Sequence, residues 1–579
     1  MTDIENKRHS LAHLLAAATL KLYPDTKITL GPAIEDGFYY DMDFVDPISE
    51  KDLKTIQKTM KKMANSWSDF SEKKVTPDEA REFFAGNEYK LELIDEIEKK
   101  GENITLYTSG DFTDLCRGGH VDDFSDIKMD AFKLDRIAGA YWRGDENNKM
   151  LTRIYGIAFD TKDELADFIT KREEATKRDH RKIGKELGLF TFSEKVGPGL
   201  PLFTPKGTLF RNLVINKINN IQEPYGYQEV CIPHITKAEL YKTSGHWEKY
   251  KDDLFYVKGK SDAEFVMKPM NCPHHTQIFD AEPRSYRDLP LRYVETTMVY
   301  RDEQAGELMG LSRVRSISQD DGHVFCTPDQ IEAEVNNIVS IIQKFYTSLD
   351  MFNEGNYWVS LSVRDPENPD KYIGGNDLWD KAESILESIA EENKLNYKRI
   401  EGEAAFYGPK LDFQFKDALG REWQLGTAQL DFVQPERLNL EYTDNEGNKQ
   451  TPVMIHRAIA GSLERFMSLV IEHFAGYFPL WLAPTQIAVI PVKEDLHSEY
   501  AESVVSELKK QGARVELWND DHDGFGKKVR RAKNEKLPYW IIVGDEEMEN
   551  NTITVESKDE QQKGISLDSF IESIKDSLK

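Results

Sequence analysis

RVRSISQDDGHVFC (Arg313–Cys326) packs arginines, two aspartates and a histidine into one short run, and the reading of this chain starts there. Two other runs belong beside it, MKPMNCPHH (Met267–His275) and PVMIHRAIAGSLERF (Pro452–Phe466). One soft or borderline metal ligand stands out in each: His323, Cys272 and His456. One cysteine and two histidines make a three-ligand zinc set with an open fourth position, the arrangement of a catalytic zinc. A lone buried histidine or cysteine is normally a packed core residue. Three of them, with arginines able to grip a polyphosphate in two of the runs, point to an active site.

The bulk properties set limits. A chain of 579 residues is too long for one core, so about three or four domains are expected. No apolar run approaches a membrane span, and MTDIENKRHSLAHLL lacks a signal-peptide pattern. Cys116, Cys231, Cys272 and Cys326 have no framework spacing, which argues for a reducing, cytoplasmic setting and individual roles. The net charge of −27 means that any nucleic-acid contact must come from local basic patches. Candidates are KREEATKRDHR (Lys171–Arg181) and KKVRRAKNEK (Lys527–Lys536), each of which also reads as a solvated helix face.

Residues 1–160 mix short strands and helices, with hairpin signals at Gly31–Phe44 and Leu134–Phe159. Residues 161–188 are charged and helix-forming, the pattern of a linker helix. Residues 189–480 alternate aromatic-rich strands with helices. Residues 481–579 open on the strand WLAPTQIAVIPV and continue helix, strand, helix, strand, an α/β domain with a largely parallel sheet.

LRYVETTMVYRDEQAGELMGLSRVRSISQDDGHVF (Leu291–Phe325) resembles motif 2 of the class II aminoacyl-tRNA synthetases, a strand, a loop and an antiparallel strand. GSLERF (Gly461–Phe466) resembles motif 3, and Pro233 matches the proline of motif 1 at the dimer interface. Cys272 in MNCP, His323 in QDDGH and His456 in IHRA match the zinc ligands of threonyl-tRNA synthetases without substitution, and the resemblance runs from Arg8 to the C-terminus. It implies a multidomain α/β protein: an α+β editing domain, an antiparallel-sheet catalytic domain and an α/β anticodon-binding domain. It implies an enzyme that forms threonyl-adenylate from threonine and Mg-ATP and charges tRNA(Thr), as a homodimer with one Zn2+ per subunit. Arg301 would hold the α-phosphate and carboxylate, Glu303 the adenine amino group, and Arg313 the γ-phosphate side. Arg465 is the motif 3 arginine; fixed guanidinium forks stabilise charge at the pentacoordinate phosphorus. Ile317 stands where the family often stacks Phe on adenine, and Met309 replaces a common His in the motif 2 loop. Gln319, Asp321, Tyr407 and Gln429, the last counted with the ATP-binding set, line the amino-acid pocket. His246 matches a histidine near the terminal ribose of the tRNA, where proton transfer is needed. His275 matches a family position; His274 often is Gly, has no assigned role, and is expected to be solvated or to compete for metal.

Zinc with an open position can read the β-hydroxyl of threonine and reject valine, but serine has the same hydroxyl, and one methyl is worth only about 1–3 kcal/mol. A second, hydrolytic site is therefore expected. RHSLAHLL puts His9 and His13 on one helix face, and DLCRGGH adds Cys116 and His120. This set resembles the editing domain of threonyl- and alanyl-tRNA synthetases, with Lys90 and Asp114 on further positions of that site. The same spacing also suits a metal. Gly119 replaces a common Pro, which is expected to loosen the loop.

The chain starts eight residues ahead of His9, so the extra small domain of the usual bacterial enzyme is expected to be absent. WNDDHDGFGKKVR has acids (Asp520, Asp521, Asp523) where relatives often carry an Arg-Asn-Glu-Lys run; Lys527, Lys528 and Arg530 remain for the RNA backbone and Glu547 for a base. Three rival readings stand: a threonine sensor that no longer charges tRNA, a hydrolase acting in trans on mischarged tRNA, and a class II ligase for another amino acid. The full phosphate clamp disfavours the first, the zinc triad the second, and the triad with Asp321 disfavours proline as substrate.

Overall fold

A capping box opens the chain: the Thr2 side chain accepts from Glu5 N, and the Glu5 carboxylate accepts from Thr2 N. Backbone donors without intrahelical partners are thereby satisfied. The helix that follows, α1 (Asp3–Leu22), buries Leu11, Leu14, Leu15 and Ala18. It packs on β1 (Gly37–Asp43), where alternation turns Phe38, Tyr40 and Met42 inward. Helix α2 (Glu50–Met63) lies beside α1. A small antiparallel sheet of β2 (Ser71–Val75), β3 (Ile104–Ser109) and β4 (Phe112–Leu115) follows, with α3 (Glu88–Lys99) in the connection. Strands β5 (Phe132–Tyr141) and β6 (Met150–Ala158) complete the main sheet, β6 pairing antiparallel with both β1 and β5. The computed structural model describes residues 2–578 except 146, 261, 374, 418, 419, 521 and 522. Asp521 of the acidic stretch is therefore outside the described residues.

The chain forms two compact units, Met1–Glu173 and Glu174–Lys579. The boundary falls within α4 (Lys162–Arg178). The stretch expected as one linker helix is two helices: Asp179 leaves helical geometry and caps α5 (His180–Glu186) by accepting from Arg181 N. Its basic patch is largely charge-balanced, with Lys171 on Asp167, Arg172 on Asp135, Lys177 on Glu174 and Arg181 on Asp179.

The second unit is built around an eight-stranded sheet. Its strands are β7 (Gln228–Glu229), β8 (Leu291–Tyr300), β9 (Ser316–Cys326), β10 (Tyr357–Val363), β11 (Tyr397–Glu401), β12 (Lys410–Lys416), β13 (Glu422–Asp431) and β14 (Val453–Ala458). Their order is β7-β8-β9-β14-β13-β12-β10-β11. The inner pairings are antiparallel, and only β7–β8 and β10–β11 at the two edges are parallel. Three helices accompany this sheet: α6 (Pro205–Gln222), α7 (Cys272–Asp280) and α8 (Ile331–Thr347). The apolar stripe of α8, with Val335, Ile338, Ile342 and Phe345, packs on β13 and β14. Helix α9 (Leu463–His473) follows β14 and packs against β9. No helix among the described residues is long and apolar enough to cross a membrane.

The C-terminal part reads β15 (Ile487–Pro491), α10 (Glu494–Lys510), β16 (Val515–Leu517), α11 (Phe525–Asn534), β17 (Tyr539–Val543), α12 (Asp545–Asn550), β18 (Ile553–Glu556) and β19 (Gln561–Ile565). The sheet order is β16-β15-β17-β18-β19, parallel in its first three strands and antiparallel in the last two. Two RNA expectations change here. Lys528 lies on the buried face of α11, ion-paired with Glu494, so it does not face a phosphate backbone; Lys527 and Arg530 are exposed. Glu547 accepts from Gly544 N (3.0 Å) and from the Thr554 hydroxyl (2.7 Å), engaged in capping its own helix.

One buried pair ties the catalytic sheet together. Asp320 of β9 accepts from Arg457 of β14 (2.7 Å) and from the backbone N–H groups of Ile459 (2.7 Å) and Ala460 (2.9 Å). Arg457 also donates to Gln222 at the end of α6 (2.5 Å). Removing one partner of a buried ion pair strands the other and costs about 3–5 kcal/mol. Asp320→Ala is therefore expected to lower the unfolding free energy of the second unit by that order, read as a lower urea midpoint at unchanged slope. A midpoint unchanged within error would mean that the pair carries no such weight.

Candidate active sites

Register brings the metal-ligand candidates together. His323 on β9 is directly opposite His456 on β14, which is directly opposite Gln429 on β13. Directly paired side chains on neighbouring strands stand about 5 Å apart at Cβ. Gln319, Asp321 and His323 alternate along β9 and so share one face. Cys272 comes from the first turn of α7, where Asn271 and Pro273 start the helix. One donor atom from each of Cys272, His323 and His456 lies within 4.8 Å of the others, and all three residues are buried.

The outer partners of the two histidines orient them. His456 Nε2 contacts an Asp431 carboxylate oxygen (2.8 Å), which leaves Nδ1 facing His323 Nε2 (3.0 Å). His323 Nδ1 is 2.7 Å from His275 Nδ1, and the far nitrogen of His275 looks at Glu295 (4.0 Å). A metal-binding histidine ordinarily donates its other N–H to such a partner. Sequence reading passed over Asp431 and Glu295, since only the fold brings them behind the ligands. Burial pushes the Cys272 thiol well above its usual range and the His323 imidazole well below. A thiol and two imidazoles that converge with their outer faces already occupied fit a divalent metal of the zinc type.

A cavity of about 110 Å³ opens beside this cluster, lined by Arg301, Gln319, Asp321, His323, Tyr407, Gln429 and His456 among others. Burial raises the Asp321 carboxyl, which accepts from Asn271 Nδ2 (3.0 Å). Tyr407 is half-buried, its ring 5.6 Å from that of His456. His246 is brought against the cluster: its Nε2 is 3.5 Å from Cys272 Sγ, and its Nδ1 2.9 Å from the Ser244 hydroxyl. His274 departs from expectation. It is buried, not solvated, and neither ring nitrogen has a hydrogen-bond partner.

The three motif arginines converge. Arg301 has a buried Nε without a partner. Arg465 is held below its ordinary range by burial and then by the positive charges of Arg301 and Arg313. Like charges gathered at one place in a partly dry site await an anion. Arg313 is paired with Glu303 (2.7 Å) and Glu307 (3.1 Å), so the residues expected to meet the γ-phosphate and the adenine hold each other in this state. Ile317 on β9 is paired across the strand with Val299. Neither Ile317, Arg313 nor Glu303 lines the cavity beside the metal candidates, in keeping with a nucleotide end apart from an amino-acid end.

The first unit gathers the second set. His9 and His13 on α1, Lys90 on α3, Asp114 on β4 and Cys116 line a cavity of about 350 Å³. Cys116 Sγ lies 3.5 Å from His9 Nε2 and 3.3 Å from His120 Nε2. His120 is stacked on Phe70 at 3.9 Å. Lys90 and Asp114 form a fully buried ion pair (2.5 Å), and Tyr40 donates to the same carboxylate. Tyr40 and Phe70 are contributors that sequence reading missed; Tyr40 carried a signal, its inward place in the alternation of β1. Burial raises the Cys116 thiol to about 12 and lowers His120 to about 2, with His9 and His13 also lowered. At neutral pH this is a neutral thiol among neutral imidazoles, not an activated nucleophile. The loop is not loose. Gly118 and Gly119 take φ +91 and +85, which proline cannot adopt. Gly118 N donates to Cys116 Sγ (3.3 Å) and His9 Nδ1 contacts Gly119 O (3.2 Å).

With this geometry in view, similarity to other proteins is informative. Residues 104–155 match the family described as "Threonyl and Alanyl tRNA synthetase second additional domain". Residues 255–474 match "tRNA synthetase class II core domain (G, H, P, S and T)", and residues 486–577 "Anticodon binding domain". The chain is 48% identical over 571 residues to the threonine–tRNA ligase of Rubrobacter xylanophilus, covering 98% of this chain and 88% of that protein. It is 48% identical over 563 residues to that of Gloeobacter violaceus, covering 96% and 89%. Among solved structures, the RNA binding domain of threonyl-tRNA synthetase from Cryptosporidium parvum superposes with a TM-score of 0.63 at 36% identity, covering 69% of this chain and 98% of that one. Prolyl-tRNA synthetase from Giardia lamblia, at 17% identity and a TM-score of 0.54, covering 68% and 74%, shares the fold. A class II core, an editing-associated domain, an anticodon-binding domain and close similarity along almost the whole chain together show that the protein belongs to the threonine–tRNA ligase family.

Proposed function

We propose that this enzyme activates threonine with Mg-ATP, transfers it to tRNA(Thr), and clears seryl-tRNA(Thr) in its first unit. The observation that carries the reading is the pocket lined by His323, His456, Asp321 and Arg301, with Cys272 converging on the two histidines. Threonine would lie with its carboxylate toward Arg301 and its hydroxyl toward Asp321. Cys272, His323 and His456 would hold a zinc ion, which would supply an open coordination position for the amino group and β-hydroxyl. The unpaired Nε of Arg301, with Arg465, favours the charge that grows at the α-phosphorus as the carboxylate attacks and pyrophosphate leaves. Arg313 would exchange Glu303 for the γ-phosphate, and freed Glu303 would meet the adenine amino group. His246 would serve the proton transfer of the second step. The chain would pair with a second copy through the strand region of Pro233, in the cytoplasm.

In the first unit, a mischarged ester entering the cavity meets neutral donors and acceptors that can hold a water, and a buried cation, Lys90, fixed by Asp114 and Tyr40. Lys90 would favour the oxyanion of the attacked ester.

The primary test is amino-acid-dependent ATP–pyrophosphate exchange with threonine, serine and valine. Strong exchange with threonine, some with serine, little with valine, and loss on zinc removal are expected. No exchange with any of them in zinc-loaded protein would sink the reading. Asp431→Asn is expected to weaken zinc retention about 10- to 100-fold in a chelator competition, because the amide gives His456 Nε2 a poorer anchor. Lys90→Ala is expected to slow seryl-tRNA deacylation by about 10² or more while leaving exchange unchanged.

The lowered histidines also set a pH dependence. In the unfolded chain they take up protons near pH 6.5, whereas in the native first unit His9, His13 and His120 resist protonation. Stability of that unit, measured in metal-free protein, is therefore expected to fall as pH drops below about 6.5, with a shallower slope in His120→Gln. A flat profile from pH 7 to 5 would contradict this.

A further inference from the structure

His180 lies in the basic run Lys171–Arg181 and belongs to neither chemical site, yet both of its ring nitrogens are committed. It is the first residue of α5 and is buried. Leu311 N, in the loop between β8 and β9, donates to His180 Nε2 (3.1 Å). A backbone N–H can only donate, so Nε2 must be the bare nitrogen and Nδ1 must carry the proton. Nδ1 accordingly donates to the Glu472 carboxylate on α9 (2.7 Å), and that carboxylate also accepts from His180 N (3.3 Å). Gly310 is shaped to this approach: with φ +51, a Cβ placed there would come to 2.3 Å from His180 Nε2. Asp179, His180 and Glu472 could also be read as metal donors. The nitrogen such an ion would need is Nδ1, which faces both carboxylates (Asp179 at 4.0 Å, Glu472 at 2.7 Å). The Leu311 N–H on Nε2 places the proton on Nδ1 and leaves no lone pair there for a metal, which favours a hydrogen-bonded clamp.

The loop held in this way carries the phosphate grip. Arg313 belongs to it, and Arg465 Nε donates to Ser312 O (3.3 Å). The Ser312 hydroxyl also meets Ser468 on α9 (2.9 Å). Glu472 and Arg465 share α9, so His180 spans from the helix that bears one arginine to the loop that bears the other. We propose that His180 is a positioning residue for the ATP-binding arginines, setting the spacing of Arg313 and Arg465 through Leu311 N and Glu472. Residues of the segment that follows the unit boundary thereby take part in nucleotide binding without touching the nucleotide. This inference rests on the adenylation reading of the site.

The experiment is steady-state ATP–pyrophosphate exchange on the full-length, zinc-loaded protein, comparing parent, His180→Ala and His180→Gln. Loss of the clamp leaves a buried N–H unpaired, an effect of about tenfold. KM for ATP is expected to rise about tenfold or more in H180A. KM for threonine should stay within about twofold, since the amino-acid cavity is lined by other residues. Glutamine offers one acceptor and one donor, so H180Q is expected to recover most of the ATP affinity. A folded H180A with parental KM for ATP would overturn the proposal, as would an equal rise in both KM values. Where H180A does not fold, Gly310→Ala takes its place, driving a methyl against Nε2 from the loop side. A selective rise in its KM for ATP supports the clamp, and parental values overturn it. Failure of the parent itself to exchange with threonine would count against the functional reading, not against the clamp.

Discussion

The second unit depends on a charge that water cannot reach. Asp320 sits on β9 between Gln319 and Asp321, with its side chain on the opposite face from theirs. Its two oxygens are filled by Arg457 and by the two N–H groups that begin the turn into motif 3. An ionised carboxylate in such a place is tolerable only when every lone pair is met. Satisfying it fixes β9 against β14, and the register of those strands is what sets His323 opposite His456. The same network reaches Gln222 at the end of α6. The ligand geometry is thus a consequence of a buried polar network on the reverse side of the sheet, which would be disrupted by a one-residue slip.

The two candidate sites use burial in opposite ways. In the second unit, partial burial of Arg465 and Arg301 gathers positive charge beside the exposed Arg313, with Glu303 and Glu307 as partial offset. That arrangement is unfavourable alone and favourable around a polyphosphate, so the protein stores attraction for an anion at the place where negative charge concentrates. In the first unit, burial removes charge. The thiol and three imidazoles are driven to their neutral forms, and the buried cation, Lys90, is cancelled by its own carboxylate; Lys100 and Arg117 also line the cavity, but as exposed residues. A cavity whose buried depth is neutral or charge-cancelled suits an ester and a water there better than a phosphate.

What was legible in the sequence was local. Periodicity marked the strands and helices of the C-terminal α/β part, and the three motif runs, together with family resemblance, named Cys272, His323 and His456 before the fold was known. The structure does bring those donors to one point. Partners supplied from distant parts of the chain were not legible. Asp431 behind His456, Glu295 behind His275, Tyr40 on Asp114 and Glu472 on His180 are ordinary residues in sequence, and only strand register or helix packing gives them a task. Lys528 shows the converse. In a run of lysines and arginines it reads as surface charge, yet the helical period turns it inward to Glu494 while Lys527 and Arg530 stay exposed. Gly119 read as a loosening; its positive φ and its carbonyl contact with His9 make it part of a tied loop.

The coexistence of the two sites follows from what each kind of contact can discriminate. A pocket that reads a hydroxyl penalises valine heavily, because valine leaves the buried polar groups of the pocket without a partner. Asp321 is suited to that reading, since it is half-buried on the cavity wall and its pairing with Asn271 leaves acceptor capacity toward the cavity. Serine satisfies the same groups, and the missing methyl forfeits only about 1–3 kcal/mol, a discrimination of one to two orders of magnitude at most. No refinement of a hydroxyl-reading pocket repairs this, because the contact that excludes valine is the contact that admits serine. Selection by size then has to occur elsewhere and after the fact, in a cavity that accepts the smaller ester and turns away the larger. On the proposed reading, the first unit is the physical complement of the second.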